Sequence, residues 1–238
     1  MSVTDVRTSP GHLPRVVAPE ILDDLTPDDP LALGSRRDLR RVNAIMRHTP
    51  VLARALAGGA LGRVLEIGAG DGYFALGLAQ RLPVAGKGTT FTLLDLRSDV
   101  PDHVRGEFAR MRVECEPVTS DVFAYLADSA VGRFDAIVAN LFLHHFEADR
   151  LAELLRLVAA RTDRFAACEP RRSREALVAC RALPLLRCNE VTRHDAVVSV
   201  RAGFRDRELS ELWPSEDDWT LTERAVPPFS HAFRAVRA

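Results

Sequence analysis

Lysine is almost absent from this sequence: of 32 basic residues only Lys87 is a lysine, and the rest are arginine. With 33 acidic residues the formal net charge is −1, so neither sign is in excess and nucleic acid is not expected as a partner. No stripe alternates arginine with aromatic side chains, which counts further against single-stranded RNA. Cysteine is scarce too. Cys115, Cys168, Cys180 and Cys188 make no C-x-x-C pair and no metal-ligand cluster, so no metal is expected and the thiols read as reduced in a cytoplasm. No apolar run approaches ~18 residues and no basic start precedes an apolar segment, which excludes a membrane span and a signal peptide from the expectations. Internal repeats and low-complexity tracts are also missing. What remains is 238 residues, 47% of them hydrophobic, enough for one large core with small additions.

The most informative stretch is Val64 to Phe74, Val-Leu-Glu-Ile-Gly-Ala-Gly-Asp-Gly-Tyr-Phe. An apolar run ends in a carboxylate, three glycines follow at alternate positions, and a helical pattern (Phe74, Leu76, Ala79, Leu82) begins. That is a buried strand, a tight turn and a helix start, with glycine where the chain takes positive φ or lets a ligand lie on bare backbone. A dinucleotide fingerprint needs its third glycine at position 73, which is Tyr73, so an NAD-dependent oxidoreductase is disfavoured. The spacing Glu66-x-Gly68-x-Gly70-x-Gly72 resembles motif I of the class I S-adenosylmethionine-dependent methyltransferases. The resemblance implies S-adenosylmethionine as cofactor, with Glu66, Gly68, Ala69, Gly70 and Gly72 lying against its amino-acid and ribose parts.

The pattern along the chain fits that fold. Residues 1 to about 30, with Pro10, Pro14, Pro19, Pro27 and Pro30, read as an irregular arm with a short helix near Pro19–Leu25. Ser35 is positioned to cap a helix through about His48, with Leu39, Val42, Ile45 and Met46 on one face, and a second helix runs from Val51 to Ala57. This pair either covers the cofactor and helps form an acceptor pocket, or packs on the sheet edge. The next strand, Thr89–Leu94, closes with Asp95, where the resemblance implies a ribose ligand with Leu96 beside it; an ordinary strand-end Asp is the alternative. A helix near Val100–Met111 and a strand Arg112–Pro117 precede Asp121-Val122, expected at the adenine, although Asp121 also reads as a helix N-cap. The run Phe134–Asn140 is a strand covered on both faces. It empties into Leu141-Phe142-Leu143-His144-His145-Phe146, matching motif IV of many small-molecule methyltransferases, with Asn140 and Leu141 at the cofactor.

A helix Ala148–Arg161 and a strand Arg164–Cys168 lead to Glu169-Pro170-Arg171-Arg172-Ser173. Helices are expected over Ser173–Leu185, Asn189–Gly203 and Arg205–Leu212, then an antiparallel pair, Trp219–Val226 and Ser230–Val236, around Pro227-Pro228. The resulting class is α/β: a Rossmann-like seven-stranded sheet of five parallel α/β units plus a C-terminal antiparallel strand pair, with helices on both faces. Residues 1–58 form the arm and covering helices; residues 59–238 form the cofactor-binding domain, with a helical insertion at about 173–212. The stretch Glu190–Phe204, together with Asn140–Phe146 and Glu169–Ser173, resembles a bacterial methyltransferase group, some members of which lie beside type III polyketide synthases.

Methyl transfer is an in-line displacement from an already activated sulfonium, so positioning the acceptor atom at about 3 Å is most of the task. A phenol with pKa ~10 must still lose a proton, and histidine is the natural base or orienting group. His144, His145 and His194 are the candidates, each with a structural alternative as a loop cap or surface residue. Glu169 is placed to hold an acceptor hydroxyl or to pair with Arg171 or Arg172; Arg172 and Arg201 either bind an anionic acceptor or lie on the surface. The expected activity is methylation of a small molecule, at an oxygen of a phenolic or polyketide-like compound, by a cytoplasmic monomer or homodimer. The alternatives are a protein or RNA methyltransferase and a non-catalytic cofactor-binding partner subunit. The first is opposed by Leu141-Phe142-Leu143 where an Asn/Asp-Pro-Pro-aromatic tetrad would stand.

Overall fold

The computed structural model describes residues 13–26, 28–83, 88–214 and 217–238, so the expected arm up to residue 12, and Pro27 within it, lie outside the described residues. Seven strands form one sheet: β1 (Arg63–Ile67), β2 (Thr90–Asp95), β3 (Glu114–Thr119), β4 (Ala136–Asn140), β5 (Arg164–Pro170), β6 (Trp219–Val226) and β7 (Ser230–Arg237). Their order is β3-β2-β1-β4-β5-β7-β6. Strands β1 to β5 are parallel, and β7 enters antiparallel between β5 and β6. This is the seven-stranded Rossmann-like arrangement expected from the sequence.

The central strands read as unbroken apolar runs because both faces are covered. All five residues of β4 are buried. Alternation still sorts the side chains: in β1, Leu65 and Ile67 join the core under α6 (Val122–Ala127), α7 (Ala148–Arg161) and α10 (Glu208–Leu212). Val64 faces the opposite core, under α3 (His48–Ala55), α4 (Tyr73–Ala79) and α5 (Asp102–Arg110). Helix α7 has the bounds its periodicity predicts, burying Leu151, Leu154, Leu155 and Val158.

The N-terminal helices differ from expectation at their start. After the short α1 (Ile21–Asp24), α2 runs Pro30–Met46 and is capped by Asp29, which accepts from Leu31 N at 2.7 Å, with Pro30 in the first turn. Ser35 is therefore not a cap. It lies buried in the middle of α2, where its Oγ is 2.8 Å from Thr192 Oγ1 in α9 (Glu190–Ala202). The helix expected over Ser173–Leu185 is shorter, α8 (Arg174–Cys180), because Pro184 cannot continue it and a 3-10 turn, Leu183–Leu186, follows. Helix α9 is capped by Asn189, which accepts from Thr192 N.

The end of α9 is held against the tip of β5. Phe204 N donates to Pro170 O at 2.9 Å, and a Cβ on Gly203 would stand 2.2 Å from that carbonyl oxygen. Gly203→Ala is therefore expected to force the two segments apart and cost about 1–3 kcal/mol, the usual range for overpacking a dense contact, read as a lowered urea midpoint. An unchanged midpoint would mean that the contact yields freely.

Candidate functional site

The carboxyl ends of β1, β2 and β4 meet on one edge of the sheet. There the glycine turn follows β1, with Gly68 at φ 73° and Gly70 at φ 53°. Gly68 has no room for a side chain, since a Cβ would overlap the Phe142 ring at 2.3 Å. Around Gly70 the opposite holds: a Cβ there would meet nothing within 4 Å, so backbone faces open space. Asp95, at the end of β2, ties the turn in place by accepting from Gly70 N at 2.8 Å through Oδ2 and from Arg97 N at 2.8 Å through Oδ1. Each carboxylate oxygen keeps a second lone pair. Leu96, next in the chain, is 68% exposed.

Glu66 is buried among these acids. Burial, reinforced by the charges of Asp71 and Asp95, pushes its carboxyl well above the usual range, and its Oε2 has no hydrogen-bond partner. Asn140, at the end of β4, is likewise buried with its Oδ1 unpartnered. Asp121 caps α6, its Oδ1 accepting from Phe123 N and Ala124 N at 2.9 Å each, while Val122 is buried in the core. Helix α2 closes over this edge: Arg40 pairs with Asp71 at 2.6 Å and lies 4.2 Å over the Tyr73 ring.

Beyond β4 the chain turns sharply through Leu141, at φ 55°, a strained conformation for a non-glycine residue. Its neighbours' N–H groups converge on one carboxylate. Glu169, fully buried at the end of β5, accepts from Phe142 N (3.0 Å), Leu143 N (2.9 Å) and His144 Nδ1 (2.7 Å). The expected pairing of Glu169 with Arg171 or Arg172 does not form, because those three donors take its lone pairs. Arg172 instead pairs with Glu208 and donates to the carbonyls of Leu13 and Gly203. With no exposed surface Glu169 cannot reach an acceptor hydroxyl itself, so the direct contact expected of it gives way to support of His144.

On its other side His144 meets a residue that sequence reading missed. Glu20, in the arm, places Oε1 3.3 Å from His144 Nε2 and Oε2 3.6 Å from His145 Nε2, and Oε1 also accepts from Ser199 Oγ. Burial opposes the charge on His144, yet its hydrogen bonds to Glu169 and Glu20, with their negative charge, raise it to about 9; at neutral pH it holds a proton and is no free base. His145, half-buried, sits 2.9 Å from Phe142 O through Nδ1. Nothing local in the sequence marks Glu20: it follows Pro19 at the start of a four-residue helix, and α9 and the turn after β4 bring its partners.

His194 is not part of this group. Its Nδ1 lies 3.0 Å from Asp195 Oδ1 on the outer side of α9, and its side chain is 51% exposed. Asp195 faces inward and accepts from Ile21 N and Leu22 N, which fixes the arm that carries Glu20. Arg201, exposed on the same helix, lines the surface groove beside His194. Asp195 and Ser199 of α9 thus hold the arm.

A cavity of about 330 Å³ opens beside Leu141 and His144. Its walls are mainly apolar, including the Leu39, Val42, Ile45 and Met46 face of α2, and Glu20, His48, His144 and Ser199 supply its polar spots.

Comparison with known proteins agrees with this geometry. A family model described as a methyltransferase domain matches residues 64–163, which run from β1 to the edge of β5. Residues 64–163 are thus similar to a methyltransferase domain. No curated protein sequence matches the chain. Solved structures share the fold at low identity. The plantazolicin methyltransferase BpumL, in complex with S-adenosylhomocysteine, superposes with a TM-score of 0.63 at 12% identity over 89% of this chain and 92% of that one. A putative O-methyltransferase from Nostoc punctiforme PCC 73102 gives 0.61 at 14% identity over 94% of this chain and 64% of that one. Magnesium protoporphyrin IX methyltransferase from Synechocystis PCC 6803, with S-adenosylhomocysteine bound, gives 0.52 at 15% identity over 85% and 86%. S-adenosylhomocysteine, bound in two of these structures, is what S-adenosylmethionine becomes on losing its methyl group. The polyketide-synthase association has no counterpart in these matches. Among the described residues no helix is long and apolar enough to cross a membrane.

His48 gives the cavity wall a pH signature. Its Nε2 is 2.7 Å from Ser230 Oγ, and burial lowers its pKa to about 4 against the weaker pull of the Glu169 charge and Asn140. The fold keeps the ring neutral while the unfolded chain protonates it near pH ~6.5, so stability is lost as pH falls from there toward 4. Between pH 6.5 and 5 this loss is about 2 kcal/mol. His48→Gln should lose that much less over the interval in urea unfolding, and parallel curves for the two proteins would refute the assignment.

Proposed function

We propose that this chain is an S-adenosylmethionine-dependent methyltransferase acting on a small, largely apolar acceptor, at an oxygen. The observation that carries the reading is the apolar cavity beginning at Leu141 and His144, directly beyond the strand end that carries Asn140. Its volume suits a small molecule and offers little to a polypeptide or RNA strand.

The cofactor residues of this reading come from the chain's own orphaned groups. The open space at Gly70 takes the body of the cofactor, and the free lone pairs of Asp95 accept from the two ribose hydroxyls. The exposed Leu96 gives the adenine an apolar contact, and the second carboxylate oxygen of Asp121 accepts from its amino group. Glu66 and Asn140 bring unpartnered buried oxygens to the methionine end, where the cofactor carries an ammonium and a sulfonium. A cation there offsets the charges of Asp71 and Asp95, which add to burial in raising Glu66. When bound, the cofactor supplies the methyl group, already activated at sulfur. The protein's share is to align the acceptor with it and exclude water, which the α2 face and the arm do by closing the cavity. Glu20 and His144, at its polar end, hold the acceptor's hydroxyl, and Glu169 keeps His144 in place.

Gly70→Val tests the cofactor assignment. No packing atom stands in its way, so the chain should fold with a stability lowered by the backbone strain at φ 53°, while calorimetric affinity for S-adenosylmethionine drops at least tenfold; wild-type affinity would overturn the assignment. The acceptor reading is tested by incubating the protein with isotopically labelled S-adenosylmethionine and a panel of phenols, quinols, catechols and amines. Mass gain on hydroxyl-bearing compounds is expected, and labelling confined to amines, protein or RNA would refute it.

A further inference from the structure

We infer that Glu20, His144 and His145 form a binding site for a divalent first-row transition ion at the mouth of the apolar cavity. Three ligand-type side chains converge there: the nearest donor atoms of the carboxylate and the two imidazoles all lie within 4.8 Å of one another. The contacts to Glu20 are a long hydrogen bond and an ion-pair distance, and both leave room for a shared ion. His144 Nε2 to Glu20 Oε1 is 3.3 Å and His145 Nε2 to Glu20 Oε2 is 3.6 Å. Two ligands at ~2.0–2.1 Å from a tetrahedral zinc ion stand roughly 3.4 Å apart, so these separations are ligand–ligand edges.

The far side of each ring decides which nitrogen is presented. His145 Nδ1 faces Phe142 O at 2.9 Å, and a carbonyl only accepts, so Nδ1 carries the hydrogen and the neutral ring offers its Nε2 lone pair toward Glu20. His144 Nδ1 faces the Glu169 carboxylate at 2.7 Å and keeps its hydrogen there, so an ion binding at Nε2 displaces the proton that the ring otherwise holds on that nitrogen. A carboxylate or carbonyl behind the second nitrogen is the outer shell that orients histidine ligands. Glu20 is oriented too, by the Ser199 hydroxyl. Two imidazoles and one carboxylate are a donor set for zinc, cobalt(II) or iron(II), and they leave coordination places unfilled. Glu20 and His144 line the cavity, so an open place faces it, where an oxygen or nitrogen donor of a small ligand completes the shell. The ion would join the arm to the turn after β4, which have no covalent connection nearby in sequence. The spacing of these ligands, with Glu20 more than a hundred residues from an adjacent histidine pair, follows no metal motif, so the site is not legible from residue spacing.

The test uses the full chain, stripped with chelator and exchanged into metal-free buffer, then titrated with Co²⁺ and with Zn²⁺. One Co²⁺ per chain should bind with visible d–d absorption, and Zn²⁺ should displace it. His145→Ala, at a half-buried position, should weaken binding at least tenfold while keeping the wild-type circular dichroism, and Glu20→Gln should do the same. If the Glu20 variant fails to fold, His145→Ala alone carries the comparison. His194→Ala, outside the group, should bind like wild type. Absence of saturable one-to-one binding, or binding that survives both ligand substitutions, would overturn the site. S-adenosylmethionine affinity measured on the same metal-free sample separates this outcome from a failure of the proposed function, since the cofactor turn contains none of these ligands.

Discussion

The buried carboxylate of Glu169 is the interaction on which the candidate site depends. It stands at the end of β5 without solvent contact, where an ionised group survives only if its lone pairs are filled. Two backbone N–H groups and one imidazole fill them. The bonds also stabilise a turn that begins with a left-handed Leu141, a conformation that costs energy unless its surroundings impose it. One side chain thereby joins β4 to β5, sets the path of residues 141–146 and fixes the orientation of His144. The donors lower the Glu169 proton affinity despite its burial, so the group stays ionised and keeps those bonds.

From that turn the constraints spread outward through the arm. Arg15 donates to the carbonyl oxygens of His144 and Phe146 and to that of Ala202, and stacks its guanidinium over Phe204. Asp195 fixes the start of α1 from α9. Between these two anchors the arm can present Glu20 only to His144, His145 and Ser199. The arm's prolines lower the entropy lost in tying it down, and its polar side chains find partners on α9 and on the turn after β4. The covering segment and the helices after β5 thus act together, although some 150 residues of sequence separate them.

How much of this was legible in the sequence varies with how local the cause is. Helix α7 and strand β4 were readable because their apolar patterns are set by burial on the faces they themselves carry. The glycine turn was readable because positive φ, and at Gly68 also the lack of side-chain room, favours glycine at those positions. Ser35 was misread as a cap: a serine before an apolar face looks like a helix start, but Asp29 and Pro30 together make a stronger one, and Thr192 takes the Ser35 hydroxyl. His194 looked like a site residue beside Asp195, and the rotation of α9 turned it outward. The α2 face Leu39, Val42, Ile45, Met46 was legible as a stripe, and its place on the cavity wall was one of two expected outcomes.

The sequence by itself determined the α/β order, the seven-stranded layout and the glycine turn after β1, because strand periodicity, glycine geometry and the carboxylates that end β1 and β2 are properties of short segments. Only the tertiary structure decided what stands opposite the glycine turn. Glu20, Ser199, His144 and Glu169 come from an arm, an insertion helix, a turn and a strand end, and no spacing relates them. Their meeting follows from sheet order and from the packing of α2 and α9 over the sheet edge, both of which minimise exposed apolar surface across the whole chain. A side chain's partner in such a place is chosen by that packing, and residue type alone does not name it.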